Sequence, residues 1–472
     1  MEQNIVSQNR MATEKIGNLI WKMGIPMIIS MVLQALYNVV DTAFVINMGS
    51  NGGNANLALG YSFPIQILMI AIGVGTGIGI NSLLSRYLGQ KKNDKASAVC
   101  GNGIFLALVI YLVFLIFGIF ASKAFISFQA NGNTEAIEIG TSYLTIVCTL
   151  SLGSVGYTVY ERFLQASGKT LFSTIAQISG AVANIVLDYV FIYPLQMGVQ
   201  GAAYATVIGQ FISLFIAMAF HYLTNKEINP SPKFIKPDWL IIKGIYAIGF
   251  SAAIMQALLS LMMFSMTMIL GLSSEYGSLL QGTFAIYYKI QQIALFAAFG
   301  LSNTLITIIS FNYGLGNQER VKKTMTYGII DSMIVALAIT VLYEALANPL
   351  SELFGLASGG STEIVASCAV AIRISAIGYV FMAVSVGIQG ILQGLRLAWK
   401  PLIISLFRLI VLVLPFAYLF VMLPDPVNTV WWSFVIAEVL TSGVSVFFMF
   451  QEYRKKIKTM SDLKMETEKK PS

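Results

Sequence analysis

Two carboxylates stand in apolar company. Asp41 lies in LYNVVDTAFV (36–45) and Asp188 in ANIVLDYVFIY (183–193), and neither stretch holds a Lys or Arg. Tyr37 precedes Asp41 by four residues, and Asn184 precedes Asp188 by four. A helix puts positions i and i+4 on one face, so each acid brings a polar neighbour. GVQGAAYATVIGQ (198–210) adds Thr206. Two carboxylates, an amide oxygen and a hydroxyl are hard oxygen ligands of the kind that hold Na⁺. The same group suits a proton, because two close carboxylates in a low dielectric do not both ionise cheaply. The competing reading is that Asp41 and Asp188 are separately capped structural acids.

The second half of the chain carries a different set: Lys289, Arg373, Arg408 and Glu438. Cations and an acid in one region pair, so a structural salt bridge is expected there. Glu438 is the candidate for a second protonated group. Glu161 and Asp331 lie near helix ends, where a solvated or capping role is expected. Other chemistry lacks raw material. One histidine, His221, and three scattered cysteines give no zinc set, no Ser/His/Asp triad and no disulfide framework. No enzyme and no cofactor are expected, only a coupling ion, H⁺ or Na⁺. GVGTGIGI (73–80) sits inside an apolar run without a preceding strand, so close helix packing explains it better than a phosphate loop.

The elements that hold these groups are membrane helices. Of 472 residues, 56% are hydrophobic and 11% charged, against about 25% charged in soluble proteins. Apolar runs of about 20 residues or more, each able to cross a ~30 Å hydrocarbon core, recur throughout. The predicted spans are 17–47, 54–85, 97–122, 136–163, 170–194, 200–223, 238–271, 278–312, 322–346, 361–392, 398–423 and 428–451. The first continues past the length of a cleavable signal. Alternate connections carry the basic residues, among them Arg86, Lys91, Lys92, Arg162, Lys169, Arg396 and Lys400. The other connections hold Glu135, Glu138, Glu275, Glu352, Glu363 and Asp425, with Lys123 the lone cation. This bias predicts a multi-pass protein of the plasma (inner) membrane with both termini cytoplasmic. It also accounts for the net charge of +7 without nucleic acid. The basic tail EYRKKIKTM (452–460) reads as ordinary retention on that side.

The longest polar connection, HYLTNKEINPSPKFIKPDW (221–239), falls at the midpoint. LQASG (164–168) answers LQGLR (392–396), YLGQKKNDKA (87–96) answers GLGNQERVKK (314–323), and QAL occurs at 34–36 and 256–258. The expected organisation is an all-α polytopic membrane protein with twelve transmembrane helices in two pseudo-symmetric six-helix lobes. Residues 1–223 form the first lobe with the cation site, 224–237 the linker, and 238–472 the second lobe and basic tail. Two parallel repeats of this kind bind substrate between halves and rock. Gln34, Tyr37, Gln256, Met263 and Tyr287 are the expected substrate contacts, the Met-dense LMMFSMTMIL (261–270) suiting a promiscuous surface.

PMIISMVLQALYNVVDTAFV, LALGYSFPIQIL, RYLGQKK, FLQASGK, GVQGAAYAT and VWWSFVIAEV resemble the multidrug and toxic compound extrusion (MATE) transporters along the whole chain. The resemblance implies a cation site at Asp41, Asn184, Asp188 and Thr206, with Tyr37 lining the same cavity. It implies an antiporter that exports amphipathic, cationic drugs or toxins against H⁺ or Na⁺ by alternating access. Small-molecule substrates and membrane lipids would be its partners, and it would act as a monomer. Another branch places acids in spans 7 and 10; here span 7 has none and span 10 carries Arg373. A lipid-linked glycan flippase of the same superfamily is the alternative, and the acidic first half argues against it.

Overall fold

The computed structural model describes residues 9–46, 52–130, 133–229, 231–357 and 360–459. Within them, the side chains at 38, 39, 41–43, 45, 46, 52–57, 356 and 357 lie outside the description. Every regular element among the described residues is helical, and none is a strand. Among the described residues ten helices are long and apolar enough to cross a membrane, and two bent helix pairs bring the count to twelve when each pair is taken as one span.

The bent pairs correct the expectation of single helices at 136–163 and 361–392. Span 4 breaks between Thr134–Thr149 and Leu152–Ala166 at 41°, and span 10 between Thr362–Ala376 and Tyr379–Gly394 at 57°. A break at membrane depth frees backbone groups that need partners. At the span 10 break the Gly378 N–H donates to the Ser375 carbonyl at 2.9 Å. The Thr340 hydroxyl donates to the Ala376 carbonyl at 3.0 Å. The two breaks also display the repeat. The pairs start at 134 and 362 and end at 166 and 394, 228 residues apart in each case.

Other corresponding elements repeat the same devices. Span 3 (Asn93–Phe120) is followed by the short helix Ser122–Gln129. Span 9 (Gln318–Ala357) kinks at Leu346, just before Pro349, which has no N–H for the helix ladder. Four spans on the basic side end in one motif. The N–H groups of Lys92, Lys169, Asn317 and Leu397 reach back to the carbonyls of Tyr87, Leu164, Asn312 and Leu392 at 3.0, 2.9, 3.0 and 2.9 Å. The residue before each donor, Lys91, Gly168, Gly316 or Arg396, has φ between 60° and 78°. This is the six-to-one closure of a helix by a left-handed residue.

The chain forms two compact units: Met1–Val32, Ser85–Lys92 and Ile254–Ser472 in one, Leu33–Leu84 and Asn93–Ala253 in the other. In the second unit the glycine-rich string does serve helix packing. A Cβ on Gly75 would stand 2.6 Å from the carbonyl oxygen of Gly249, so the backbones of span 2 (Gly52–Gly89) and span 7 (Trp239–Leu270) touch there. In the first unit span 11 runs as Trp399–Leu406, a π turn over Phe407–Leu412, and Val413–Val421. Pro415 follows that turn and cannot donate to the carbonyl one turn earlier, which favours the wider winding upstream.

Candidate cation site

Span 5 (Thr170–Ile192) and span 6 (Gly198–Thr224) build the described part of the site. One face of span 5 carries Ser173, Gln177, Gly180, Asn184 and Asp188, at spacings of three or four, and all are buried. The two helices meet at glycines. A Cβ on Gly209 would lie 2.7 Å from the Gly180 carbonyl oxygen and 3.0 Å from the Asn184 Cβ. Only hydrogen at these positions lets the backbones approach closely enough to bring Asn184 alongside Thr206.

Asn184 Nδ2 donates to the Thr206 hydroxyl oxygen at 3.5 Å. Asn184 is 3% exposed, and its Oδ1 is buried without a hydrogen-bond partner among the described residues. Asp188 is wholly buried. Thus Asn184 and Thr206 meet within one unit, and Asp188 shares the buried face of Asn184; their oxygens are the donor chemistry that suits a small hard cation. Asp41 belongs to the helix Ile16–Ile46, in the part of span 1 within the same unit, but its side chain lies outside the described residues. Tyr37 is half-buried and lies within electrostatic reach of Tyr157. The Tyr157 hydroxyl donates to Gln177 Oε1 at 2.6 Å. Tyr37 is therefore close to the neighbours of the span 5 face.

That face continues into groups that sequence reasoning undervalued. Glu161, expected to be solvated or to cap a helix, is 4% exposed, and Arg162 beside it is 2% exposed. Gln165 holds both: its Nε2 donates to Glu161 Oε1 at 2.8 Å, and its Oε1 accepts from Arg162 Nη1 at 2.7 Å. Asp331 is also buried. The missed signal was Gln177, which stands seven residues before Asn184 and so on its face. A polar track deep in a membrane helix draws its charged neighbours inward because they find partners there.

In the other unit the expected pairing is present. Arg408 Nε lies 2.9 Å from Glu438 Oε1, both side chains nearly enclosed. Arg408 sits on the π turn and Glu438 on Trp432–Glu452 of span 12. Lys289 is half-buried, whereas Arg373, expected to be deep, is exposed on Thr362–Ala376. The expected substrate contacts fall in both units. Gln34 is half-buried in the unit of the cation site; Gln256 and Met263 are half-buried in the other. Tyr287 is wholly buried rather than open, its ring packed 5.4 Å from Trp431 and 5.8 Å from Phe434.

Fold and site together define a multi-pass α-helical membrane protein with an internal repeat and a buried oxygen-lined site. The profile of the MatE family matches residues 26–190 and 251–419. The chain belongs to that family, whose members are transporters and not enzymes. It is 23% identical over 406 residues to the probable multidrug resistance protein NorM of Thermotoga maritima, covering 85% of this chain and 84% of that one. It is 21% identical over 430 residues to the multidrug export protein MepA of Staphylococcus saprophyticus, covering 90% and 92%. A solved structure of a multidrug resistance MATE family transporter of the MOP superfamily, in an outward-facing conformation, superposes with a TM-score of 0.89. That match covers 96% of this chain and 98% of the other at 24% identity, and shows the fold.

Proposed function

We propose that this chain is a secondary antiporter that exports amphipathic, cationic compounds across the plasma membrane in exchange for H⁺ or Na⁺. The observation that carries the reading is the set of buried Asp188 and Asn184 with half-buried Thr206, held by the glycine contact of spans 5 and 6. The family resemblance adds Asp41 and Tyr37 of span 1 to the proposed set. An ionised acid at this depth is costly unless a cation accompanies it, so the resting charge of the site is set by the coupling ion. Two relatives named for multidrug resistance and export support the cargo class.

Coupling requires that the ion and the cargo favour different conformations, since a ligand shifts an equilibrium only by its differential affinity. The six-helix repeats, 1–223 and 238–472 about the linker 224–237, supply the two bodies that rock. The basic connections support cytoplasmic termini. Export from proteoliposomes under an imposed pH gradient and, separately, a Na⁺ gradient tests the reading. One gradient should drive export by the unsubstituted protein, and Asp188→Asn and Asp41→Asn should lose it while keeping the native elution profile. Full export by either variant would overturn the assignment.

A further inference from the structure

Span 1 (Ile16–Ile46) belongs to both compact units. Its residues up to Val32 lie in the first unit, and those from Leu33 onward, which include Tyr37 and Asp41, lie in the second. Span 7 is divided in the opposite sense: residues 239–253 lie in the second unit and the rest in the first. Each repeat thus lends the other the basic-side half of its opening helix.

Both lent halves are packed on their hosts at glycines. In the second unit a Cβ on Gly79 would stand 2.2 Å from the Ile245 carbonyl oxygen. In the first, a Cβ on Gly300 of span 8 (Gly277–Gly314) would stand 2.8 Å from the Ile28 Cα. Each lent half is also preceded by a segment docked on the same host. Ahead of span 7, the Asn229 and Asp238 N–H groups donate to Ser97 Oγ and Asn102 Oδ1 of span 3, both at 2.8 Å. There a Cβ on Gly101 would stand 2.0 Å from the Phe234 carbonyl oxygen. Ahead of span 1, the short helix Arg10–Thr13 buries Met11 completely. Arg320 bridges it to span 8: Nη2 donates to the Met11 carbonyl and Nε to Oδ1 of buried Asn312, both at 2.9 Å. Glu14 pairs with Lys22 across the bend that leads into span 1.

At the repeat spacing of 228 residues, 9–14 answer 237–242, so the two dockings are counterparts. They differ in kind. The linker is held by its own backbone, and lifting it strands peptide groups that need new partners. The segment 9–14 is gripped by a long side chain, and Arg320 is itself half-buried at the basic end of the helices. A bond from a guanidinium to a carbonyl there can break, pass both groups to water and re-form without unwinding a span.

We propose that residues 9–14 are a latch on the basic side of the first unit, with Arg320 as its positioning residue. Closed, it keeps the lent half of span 1 on span 8. Open, it frees the helix that carries Asp41 to follow the second unit. The inference rests on the antiport reading for the movement of the two units, and the grip itself rests on the contacts of Arg320 and Met11.

The test uses the full chain in proteoliposomes, with the three buried cysteines, Cys100, Cys148 and Cys368, replaced by alanine. Met11→Cys then reports opening through its rate of reaction with N-ethylmaleimide, which crosses the bilayer and reaches either orientation. Rates are divided by those of Thr13→Cys, exposed on the same helix, which removes effects of pH on the thiol. Without a gradient Met11→Cys should react slowly, and Arg320→Gln should raise its rate about tenfold or more, the worth of one hydrogen bond from a charged donor. Arg320→Lys keeps the charge and loses the fork that spans Met11 and Asn312, so it should react nearly as fast as Arg320→Gln. During measured export of ethidium under a pH or Na⁺ gradient, the chain with Arg320 intact should react several-fold faster than at rest. Unchanged rates in both Arg320 variants overturn the latch, and so does an unchanged rate during measured export, because the segment then stays docked through the cycle. Absence of export under either gradient counts against the antiport reading, and the comparison of Arg320 variants at rest still decides the latch.

Discussion

Gly209→Ala ties helix packing to the proposed coupling site through one methyl group. The new Cβ would stand 2.7 Å from the Gly180 carbonyl oxygen and 3.0 Å from the Asn184 Cβ, where ordinary contact begins at 3.4 Å. Spans 5 and 6 must therefore separate by roughly half an ångström at this level, since a close-packed interior cannot absorb the overlap. The Asn184 to Thr206 hydrogen bond is already 3.5 Å long, so the same movement takes it out of reach. Overpacking costs about 1–3 kcal/mol, and replacing a helical glycine by alanine returns about 1 kcal/mol. The net loss of stability is about 0–2 kcal/mol, and the protein should still fold. The site fares worse. Losing one positioned oxygen on a bound cation is worth about 1.5–3 kcal/mol, a shift of tenfold or more in the cation concentration that half-saturates transport. The assay is initial export rate against concentration of the driving cation, with thermal unfolding measured on the same preparation. Asn184→Ala, which removes the amide without moving the helices, should shift the half-saturation similarly. If Gly209→Ala leaves both half-saturation and rate unchanged, the chain of reasoning from glycine contact to ion site fails.

Two further substitutions probe the frame around the site. Glu438→Gln strands the Arg408 guanidinium in the interior and should cost about 3–5 kcal/mol in unfolding free energy, whereas Arg408→Met with Glu438→Leu should recover most of it; a single variant as stable as the parent in thermal unfolding would show that the pair is not buried as described. Lys91→Gly relieves the left-handed position that closes span 2 and should raise the unfolding midpoint, by about 1 kcal/mol at most, and Gly316→Lys should lower it by a similar amount.

The spans were legible because membrane crossing imposes length and apolarity on each segment independently, and the repeat was legible from LQASG against LQGLR. The breaks in spans 4 and 10 were not. Neither contains a proline at the break, and the freed carbonyl of Ala376 is satisfied by Thr340, a residue of another span. The same limit applies to the site. Asn184 and Asp188 share a helix, so their spacing announced a common face. Glu161 and Arg162 share Gln165, four and three residues further along the same helix, so that pairing was open to spacing, whereas the contact of Tyr157 with Gln177 on the next span is tertiary. The burial of Tyr287 was hidden for the opposite reason: a tyrosine on a long apolar span looks available until Trp431 and Phe434 close over it.

The two halves solve one packing problem in opposite ways, and the difference bears on where a mobile ion has room. At the spacing of 228 residues that separates the broken spans, Gly180 corresponds to Arg408 and Gln210 to Glu438. In the first half, spans 5 and 6 meet at bare glycines, with Asn184, Asp188 and Thr206 alongside the contact. In the second half, the helix pair carries its own cation and anion, 2.9 Å apart. The positions answering Asn184, Asp188 and Thr206 are Leu412, Phe416 and Phe434, which offer no ligand. A covalently attached guanidinium thus compensates the acid of the second half. The first half has no such pair at the corresponding positions, Gly180 and Gln210, and it is there that the proposed exchangeable ion would act.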